Sequence, residues 1–326
     1  MKENSNRSAY NVREKILLLL IGVLTSLLGG CNLLTEDGEL ENVGLILEGT
    51  IHDETWGHSA YSGLLEIKDT FNVSVMFEEN VTEARQLEKI VSDFDRQGVN
   101  LIFGQGEGFG QYFDQIKEYY PHIQFVYFDG TAYDSNITAV QFDHYDSYYY
   151  AGMLAAEMTR KNQIGILSPY AETTTLEGFF EGARTVNPQV RIHYKTIGSG
   201  YDQQQAMKHY QEMVQKGIDV VFPAGEGFNT PIIHQAKKDG ISAIGYINDQ
   251  YELAKNNVLT STVIEMEEIY REIAQLLDDR NLTSGIIRLG FENQYVHLGT
   301  YGDHVPPSVR NWLDQKMEAY SKINEK

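Results

Sequence analysis

The sequence repeats itself once, and this repeat constrains the fold more strongly than any other feature. Residues 96–110 read RQGVNLIFGQGEGFG, and residues 215–229, which lie 119 positions later, read QKGIDVVFPAGEGFN. A second pair, VGLILEGTI from Val43 and IGILSPYAE from Ile164, is separated by 121 positions. Two matches in almost the same register indicate two lobes of like architecture, and the period is far too long for a solenoid.

Both halves alternate short apolar runs with longer stretches of helical spacing. The apolar runs have the length and continuity of strands that are buried on both faces. They are residues 43–47, 99–103, 125–128, 164–167, 220–222 and 243–246. Helical spacing covers residues 84–94, 112–119, 149–159 and 204–215. This alternation predicts an α/β protein in which each of two lobes is a parallel sheet sandwiched by helices.

The loops that follow the strands are the expected ligand-binding segments. Ligands of open α/β sheets bind beyond the carboxyl ends of the strands, and two lobes that face each other across a hinge bring those loops to one cleft. The loops are residues 48–57, 104–110, 129–133, 168–175, 223–231 and 248–251. We expect the chain to cross between the lobes near residues 143–148 and again near residues 258–262.

These crossings give the expected domain boundaries. Lobe 1 would comprise residues 43–142 and 262–290, and lobe 2 would comprise residues 143–261. A C-terminal segment, residues 291–326, would pack on the lobes.

The N-terminus has the pattern of a secretion signal. Residues 1–15 carry a net charge of +2, and residues 16–28 are apolar apart from Thr25 and Ser26, which is too short a run to span a bilayer. Leu28-Gly29-Gly30-Cys31 resembles a bacterial lipobox, whose cysteine receives a diacylglycerol; the alternative is an ordinary signal peptide with an incidental cysteine. We expect a signal peptide at residues 1–30 and a tether lipidated at Cys31 over residues 31–42. The protein would then be anchored by lipid on the extracytoplasmic face of the cell membrane.

Composition argues against several classes of function. The formal net charge is −20, and removal of residues 1–31 with their net +2 leaves −22, so direct binding to nucleic acid is not expected. The single cysteine permits no internal disulfide and no cysteine zinc cage. The sequence has no GxxxxGK[ST] or HExxH motif, and the nine histidines show no metal-ligand spacing. We therefore expect no cofactor, no metal and no enzymatic activity, although the glycine-rich run 104–110 leaves a dinucleotide-binding fold as the rival interpretation.

Several runs taken together resemble the basic membrane protein (BMP) family, which comprises PnrA-like, type I substrate-binding lipoproteins of ABC transporters. Besides Trp56, the runs are YSGL at 61–64, YAGMLAA at 150–156, AGEG at 224–227, IGYINDQ at 244–250 and LTST at 259–262. The resemblance covers essentially the whole chain after the tether. It implies the two-lobed type I periplasmic-binding-protein fold, a small nucleoside-like ligand that is purine-containing in known members, and an ABC permease as partner.

A second function is also implied by the resemblance. The runs GVNLIFGQG, DVVFPAGEGFN, KKDGISAIGYINDQ and NNVLTSTV are similar to a regulatory member of the family that activates expression of the competence factor ComK. A chain of that kind would act indirectly on transcription, with ligand binding altered or lost.

The resemblance also implies site residues. Trp56 matches the family's aromatic residue after the first strand, and Asp53 lies where the family carries an acid. Phe109 and Phe228 stand in the repeated glycine loops, where the alternative to ligand contact is packing within a lobe. Asp129 and Asp249 follow strand ends; they either contact the ligand or cap turns and helices, which is the commoner use of Asp there.

Three positions depart from the family pattern. Gly57 replaces the asparagine that usually follows the first aromatic residue, and Ile247 replaces the first aspartate of the motif GVDSDQ. The lysine that often follows Ser261 is absent, since Val263 and Ile264 occupy those positions. A lost polar contact in a closed cleft costs about 1–3 kcal/mol, so the fold is expected to carry over more firmly than tight nucleoside binding.

Overall fold

The computed structural model describes residues 39–324 apart from residues 54, 132–134 and 172. Side chains of residues 173–175 and 320–324 are also outside the description. The predicted signal peptide and Cys31 therefore lie outside the described residues. Within the described part of the chain, no helix combines the length and the apolar content needed to cross a bilayer.

The described residues form twelve strands and nine α-helices. The strands are β1 (Asn42–Leu47), β2 (Ser74–Glu78), β3 (Val99–Gln105), β4 (Gln124–Phe128), β5 (Ile137–Phe142), β6 (Gln163–Ser168), β7 (Arg191–Thr196), β8 (Val220–Pro223), β9 (Ser242–Ile247), β10 (Val258–Ile264), β11 (Gly285–Leu289) and β12 (Val296–Leu298). The helices are α1 (Trp56–Phe71), α2 (Ala84–Asp95), α3 (Gly108–Ile116), α4 (Tyr145–Met158), α5 (Thr173–Val186), α6 (Gln203–Gln215), α7 (Asn229–Asp239), α8 (Met266–Asp278) and α9 (Pro307–Asn324).

The strands form two six-stranded sheets. The first has the order β11-β5-β4-β3-β1-β2, and all of its pairs are parallel. The second has the order β12-β10-β9-β8-β6-β7, and only its edge strand β12 is antiparallel. The predicted α/β fold with two lobes, each built on a sheet of parallel strands, is confirmed.

Alternate residues of the strands supply a hydrophobic core on each face of each sheet. In β1, Leu45 packs with α1 and α8 in one cluster, whereas Ile46 packs with α2 and α3 in another. The second sheet is covered by α4, α5 and α9 on one face and by α6 and α7 on the other. Continuous apolar runs such as Val43–Leu47 are the sequence consequence of this burial on both faces.

The chain passes between the lobes three times. The first crossing is at residues 143–144, the second is at Glu265, and the third is at residues 290–295. Because β10 pairs with β9 and β12 as far as Ile264, lobe 2 extends beyond the predicted boundary at residue 262. The segment after residue 290 adds β12 to the second sheet and packs Trp312 and Leu313 of α9 on the lobe 2 core.

Helices α4 and α5 approach each other very closely. A Cβ added at Gly152, Gly178 or Gly182 would collide with a backbone carbonyl oxygen of the facing helix. Three glycines in two adjacent helices therefore permit backbone-to-backbone contact, which holds α4, the helix that begins at the first crossing, firmly on lobe 2.

We expect Gly182→Ala to destabilise the protein. The added methyl group would meet the carbonyl oxygen of Tyr149, and overpacking of this kind costs about 1–3 kcal/mol, which exceeds the gain of about 1 kcal/mol that alanine brings to a helix. Denaturant unfolding followed by circular dichroism measures the difference. Gly108→Ala is the matched control, because no heavy atom lies within 4 Å of its added Cβ. Equal stability of the two variants would contradict the steric argument.

Candidate functional site

A cleft with a volume of about 440 Å³ lies between the carboxyl edges of the two sheets. Lobe 1 contributes the loops after β1, β3 and β4, and lobe 2 contributes the loops after β6, β7 and β8. The lining residues are Leu47, Glu48, Gly49, Thr50, Asp53, Trp56, Gly57, Gln105, Gly106, Glu107, Gly108, Phe128, Asp129, Tyr170, Gly200, Tyr201 and Glu226. This position is where the topology of open α/β sheets places a ligand.

Asp53 organises the lobe 1 wall. Its carboxylate accepts hydrogen bonds from the backbone N–H groups of Thr55 (3.0 Å), Gly57 (2.8 Å) and His58 (3.0 Å), which lie at the start of α1. These donors have no partner within the helix, and a carboxylate there also interacts favourably with the helix dipole. The predicted loop therefore becomes a helix at Trp56, a helix that the sequence patterns did not reveal.

Gly57 is required by the close approach of this helix to the preceding loop. A Cβ at position 57 would collide with the carbonyl oxygen of Thr50. An asparagine has no room here, which gives the departure from the family pattern a steric reason.

Trp56 is half-buried and packs at the end of a row of aromatic rings. Its ring centroid is 5.7 Å from that of Phe142, which stacks at 5.9 Å on Phe128, a residue that also lines the cleft. The indole is thus held by packing while part of it remains accessible from the cleft. A ring fixed in this way offers a flat, polarisable face to a planar ligand.

Gln105 provides an oriented donor in the cleft wall. The residue is only 8 % exposed, and its Oε1 accepts a 2.7 Å hydrogen bond from the hydroxyl of Tyr270, which is itself buried. Within the described part of the chain, the Nε2 group makes no hydrogen bond, and it is not sealed from solvent. The amide therefore presents its N–H donors to the cleft in a fixed orientation.

Tyr201 extends from lobe 2 toward lobe 1. A methyl group at Gly49 of lobe 1 would lie 2.8 Å from its hydroxyl. Burial raises the pKa of Tyr201 above its ordinary value, and the nearby carboxylates of Glu226, Asp53 and Glu48 raise it further. The phenol stays neutral and is surrounded by acids from both lobes. Sequence reasoning missed this loop because β7, which precedes it, is only half-buried; the turn residues Gly198-Ser199-Gly200 were the available signal.

The predicted site residues divide into two groups. Asp53, Trp56 and Asp129 line the cleft. Phe109, Phe228 and Asp249 do not.

The two phenylalanines pack inside the lobes. Phe109 is 3 % exposed and Phe228 is 0 % exposed, each in the core of its own lobe. The neighbouring glycines make room for these rings: a Cβ at Gly104 would lie 2.6 Å from the Cβ of Phe109, and one at Gly225 would collide with the ring of Phe228. The repeated glycine–phenylalanine pattern therefore serves packing, which corrects the expectation of ligand contact.

The two strand-end aspartates behave differently. Asp249 accepts hydrogen bonds from the backbone N–H groups of Tyr251 (3.2 Å) and Thr300 (2.9 Å), so it fixes a turn outside the cleft. Asp129 is exposed on the cleft side and has a left-handed backbone with φ of 61°. Capping is thus the role that the structure gives Asp249.

Ile247 joins the lobes instead of lining the cleft. It is 2 % exposed, and although it ends a strand of the second sheet it packs in a lobe 1 core with Leu47 and Phe128. Its φ of 67° is rare for a β-branched residue. The adjacent Asn248 accepts a 2.6 Å hydrogen bond from Ser59 of α1. An apolar contact between the lobes has replaced the family's acid at this position.

The first crossing is lined by aromatic rings. His144 lies between Phe142 (5.9 Å) and Tyr148 (5.6 Å), and Tyr148 contacts Phe222 of the second sheet edge to face at 5.2 Å. Burial lowers the pKa of His144 to about 4, and the opposing effect of the Asp143 charge is smaller. The imidazole is neutral at physiological pH and serves as one more ring in the stack.

Comparison with known proteins agrees with this geometry. The family model of ABC transporter substrate-binding proteins of the PnrA-like (Bmp) type matches residues 40–325. The chain belongs to this family.

This Bmp-family chain is similar to three proteins whose names indicate different roles. The chain is 35 % identical over 308 residues to the transcriptional activator protein Med of Bacillus subtilis, covering 94 % of this chain and 97 % of Med. A crystal structure of a transcriptional activator of the comK gene from Bacillus halodurans superposes with a TM-score of 0.79 at 32 % identity, covering 86 % of this chain and 97 % of that one. A purine-binding protein of Brucella abortus is 25 % identical over 288 residues, covering 87 % of this chain and 81 % of its own.

The lining of the cleft in this Bmp member is aromatic and polar. Among the described residues, no three histidine, cysteine, aspartate or glutamate side chains converge in a way that suits a metal ion. Aromatic faces and hydrogen-bonding groups are instead spread around the cavity wall, as in sites for small organic ligands.

We expect the stability of the protein to fall as the pH decreases from about 6.5 to about 4 in a way that depends on His144. In this window the unfolded chain binds a proton that the folded protein does not, since the pKa of His144 is about 4 in the fold and about 6.5 in the unfolded chain. Between pH 7 and pH 5 the unaltered protein should lose about 1–2 kcal/mol more than His144→Asn.

Denaturant titrations at several pH values measure this difference. The exposed His234→Asn is the control and should follow the unaltered protein. Parallel curves for the unaltered protein and His144→Asn would contradict the assignment.

Proposed function

We propose that this protein is a lipid-anchored, extracytoplasmic binding protein that closes its two lobes on a nucleoside-like ligand for an ABC importer. The observation that carries the proposal is the aromatic lining that both lobes contribute to the cleft, with Trp56 on lobe 1 and Tyr170 and Tyr201 on lobe 2. A planar base fits against such rings, and stacking contributes about 1–3 kcal/mol per base. The purine-binding relative and the family's substrate-binding role support the same ligand class.

The polar lining suits the rest of a nucleoside. Ribose hydroxyls are hydrogen-bond donors, and the carboxylates of Glu48 and Glu226 are strong acceptors on opposite lobes. Gln105 supplies the complementary donor for a ring nitrogen or carbonyl of the base. Contacts to both lobes favour the closed arrangement over an open one, which is how a ligand drives hinge closure.

Membrane anchoring belongs to the proposal through the lipobox-like run that ends at Cys31. The basic, apolar and small-residue segments in residues 1–31 support export followed by lipidation. An ABC permease is the partner expected for a substrate-binding protein held at that surface.

A second candidate function is regulation of competence. The higher identity to Med, 35 % against 25 % for the purine-binding relative, favours it, as does the likeness to the comK activator structure. The net charge of −20 disfavours direct contact with DNA, so such regulation would be indirect. A failure of every nucleoside to bind, with the fold intact, would favour this candidate.

Calorimetric titration of the purified full-length chain in mild detergent with adenosine, guanosine and inosine tests the first candidate. We expect binding by at least one of them. Trp56→Ala and Tyr201→Ala should each weaken it by about tenfold or more, because each removes a stacking face. Tyr119→Ala removes a tyrosine that is 78 % exposed and does not line the cleft, so it should bind like the unaltered protein. Unchanged affinity in both cleft variants would contradict the stacking model.

Gln105→Glu gives a sharper test of the polar wall. The glutamate still accepts the hydrogen bond from Tyr270, but it replaces the free N–H donor by a charged acceptor. We expect nucleoside affinity to fall by about tenfold or more, since an unsatisfied acceptor on the ligand costs about 1–3 kcal/mol. The free energy of unfolding reports the structural effect separately. Full affinity in Gln105→Glu would show that the ligand does not contact this amide.

A further inference from the structure

The charge of the cleft is one-sided. Five of its lining residues are acidic, and none of the described residues that line it is lysine, arginine or histidine. The acids are Glu48, Asp53, Glu107, Asp129 and Glu226. The two carboxylate oxygens of Asp53 accept hydrogen bonds from backbone N–H groups at the start of α1. A cleft lined by one sign of charge concentrates the field and attracts ligands of the opposite sign.

The aromatic lining is suited to the same sign of charge. Trp56, Tyr170 and Tyr201 line the cleft, and the face of such a ring attracts a cation within about 6 Å. Ring faces and carboxylates together are the surroundings in which proteins hold organic ammonium groups. A neutral ligand gains from the rings but not from the net charge of the wall.

The carboxylates do not converge on a point charge. Among the described residues, no group of acids and histidines has a geometry that could hold a metal ion. The nine-tenths-buried Gln105 also directs an N–H donor into the same cavity, and this donor calls for an acceptor atom on the ligand. The complementary ligand is therefore an extended molecule that carries positive charge and at least one hydrogen-bond acceptor.

We propose that the cleft selects a flat organic cation, such as a nucleoside with a positively charged base, over its neutral and anionic counterparts. This inference rests on the proposed function, because it names the charge of the ligand on which the lobes close. The positive ring lies between Trp56 and the lobe 2 tyrosines, and the carboxylates of both lobes surround it. A phosphorylated ligand is repelled by the same wall.

Two isomers isolate the effect of charge. 1-Methyladenosine is protonated to a cation at neutral pH, whereas N6-methyladenosine has the same heavy atoms and is neutral. Titration calorimetry of the full-length chain with both, with adenosine and with AMP should give 1-methyladenosine an affinity about tenfold or more above that of its isomer, and AMP no measurable binding. The preference should shrink as salt is raised, because salt screens exposed carboxylates.

Variants identify the source of the preference. Glu48→Gln and Glu226→Gln keep the shape of the wall and should each reduce the ratio of the two affinities by several-fold. Glu88→Gln removes an exposed acid of α2 that does not line the cleft, and it should leave the ratio unchanged.

The outcomes separate this inference from the proposed function. If adenosine or N6-methyladenosine binds as tightly as 1-methyladenosine, nucleoside binding stands and the charge selection is overturned. If no nucleoside binds but thiamine, which carries a positively charged aromatic ring, does so in a manner sensitive to Glu48→Gln, the charge selection stands and the nucleoside proposal fails. If none of these compounds binds to the folded protein, both are overturned.

Discussion

A cleft between two parallel sheets exists only while their carboxyl edges face each other, and the three crossings impose that constraint here. The first crossing is not a simple polar linker, since Phe142, His144 and Tyr148 form a run of rings that continues into both cores. The neutral state of His144 follows from burial of its ring, so the imidazole adds no charge to the joint between the lobes at physiological pH.

In the lobe 1 wall, one carboxylate both lines the cleft and stabilises the start of a helix. Asp53 holds the first backbone N–H groups of α1 and also faces the cleft, while Gly57 lets that helix start directly against the carbonyl of Thr50. Trp56 is placed by the same helix start and steadied by Phe142. The groups that position the Trp56 ring are therefore the groups that begin helix α1, so the ring is held in a fixed position relative to lobe 1.

The sequence allowed the architecture to be predicted because burial on both faces of a parallel strand leaves a continuous apolar run, as at Val43–Leu47 and Val99–Phe103. Strands β2 and β7 at the sheet edges were missed because their side chains are only partly buried and their sequences are mixed. Because β7 is not recognisable in the sequence, the loop after it, which carries Tyr201, is not predicted either. The sequence predicts Phe109 and Phe228 in the cleft because a glycine-rich loop can let a ligand approach the backbone. The same loop can instead make room for an aromatic ring of the protein, and the two patterns look alike in sequence. In this structure the glycines make room for the rings.

Two departures from the family pattern have the same physical effect in the structure: each replaces a polar side chain by a packing contact. Gly57 exchanges a polar side chain for a close backbone contact, and Ile247 exchanges an acid for burial in the core of the opposite lobe. Burial of a side chain of this size contributes about 1.5–3 kcal/mol to the arrangement in which the lobes touch, and the bond from Ser59 to Asn248 acts in the same direction. A ligand shifts a conformational equilibrium only by its differential affinity for the two states. Contacts that join the lobes without a ligand therefore reduce the share of closure that a ligand must supply. In the proposed function, specificity then depends on the polar groups that line the cleft: the acids and the amide of Gln105.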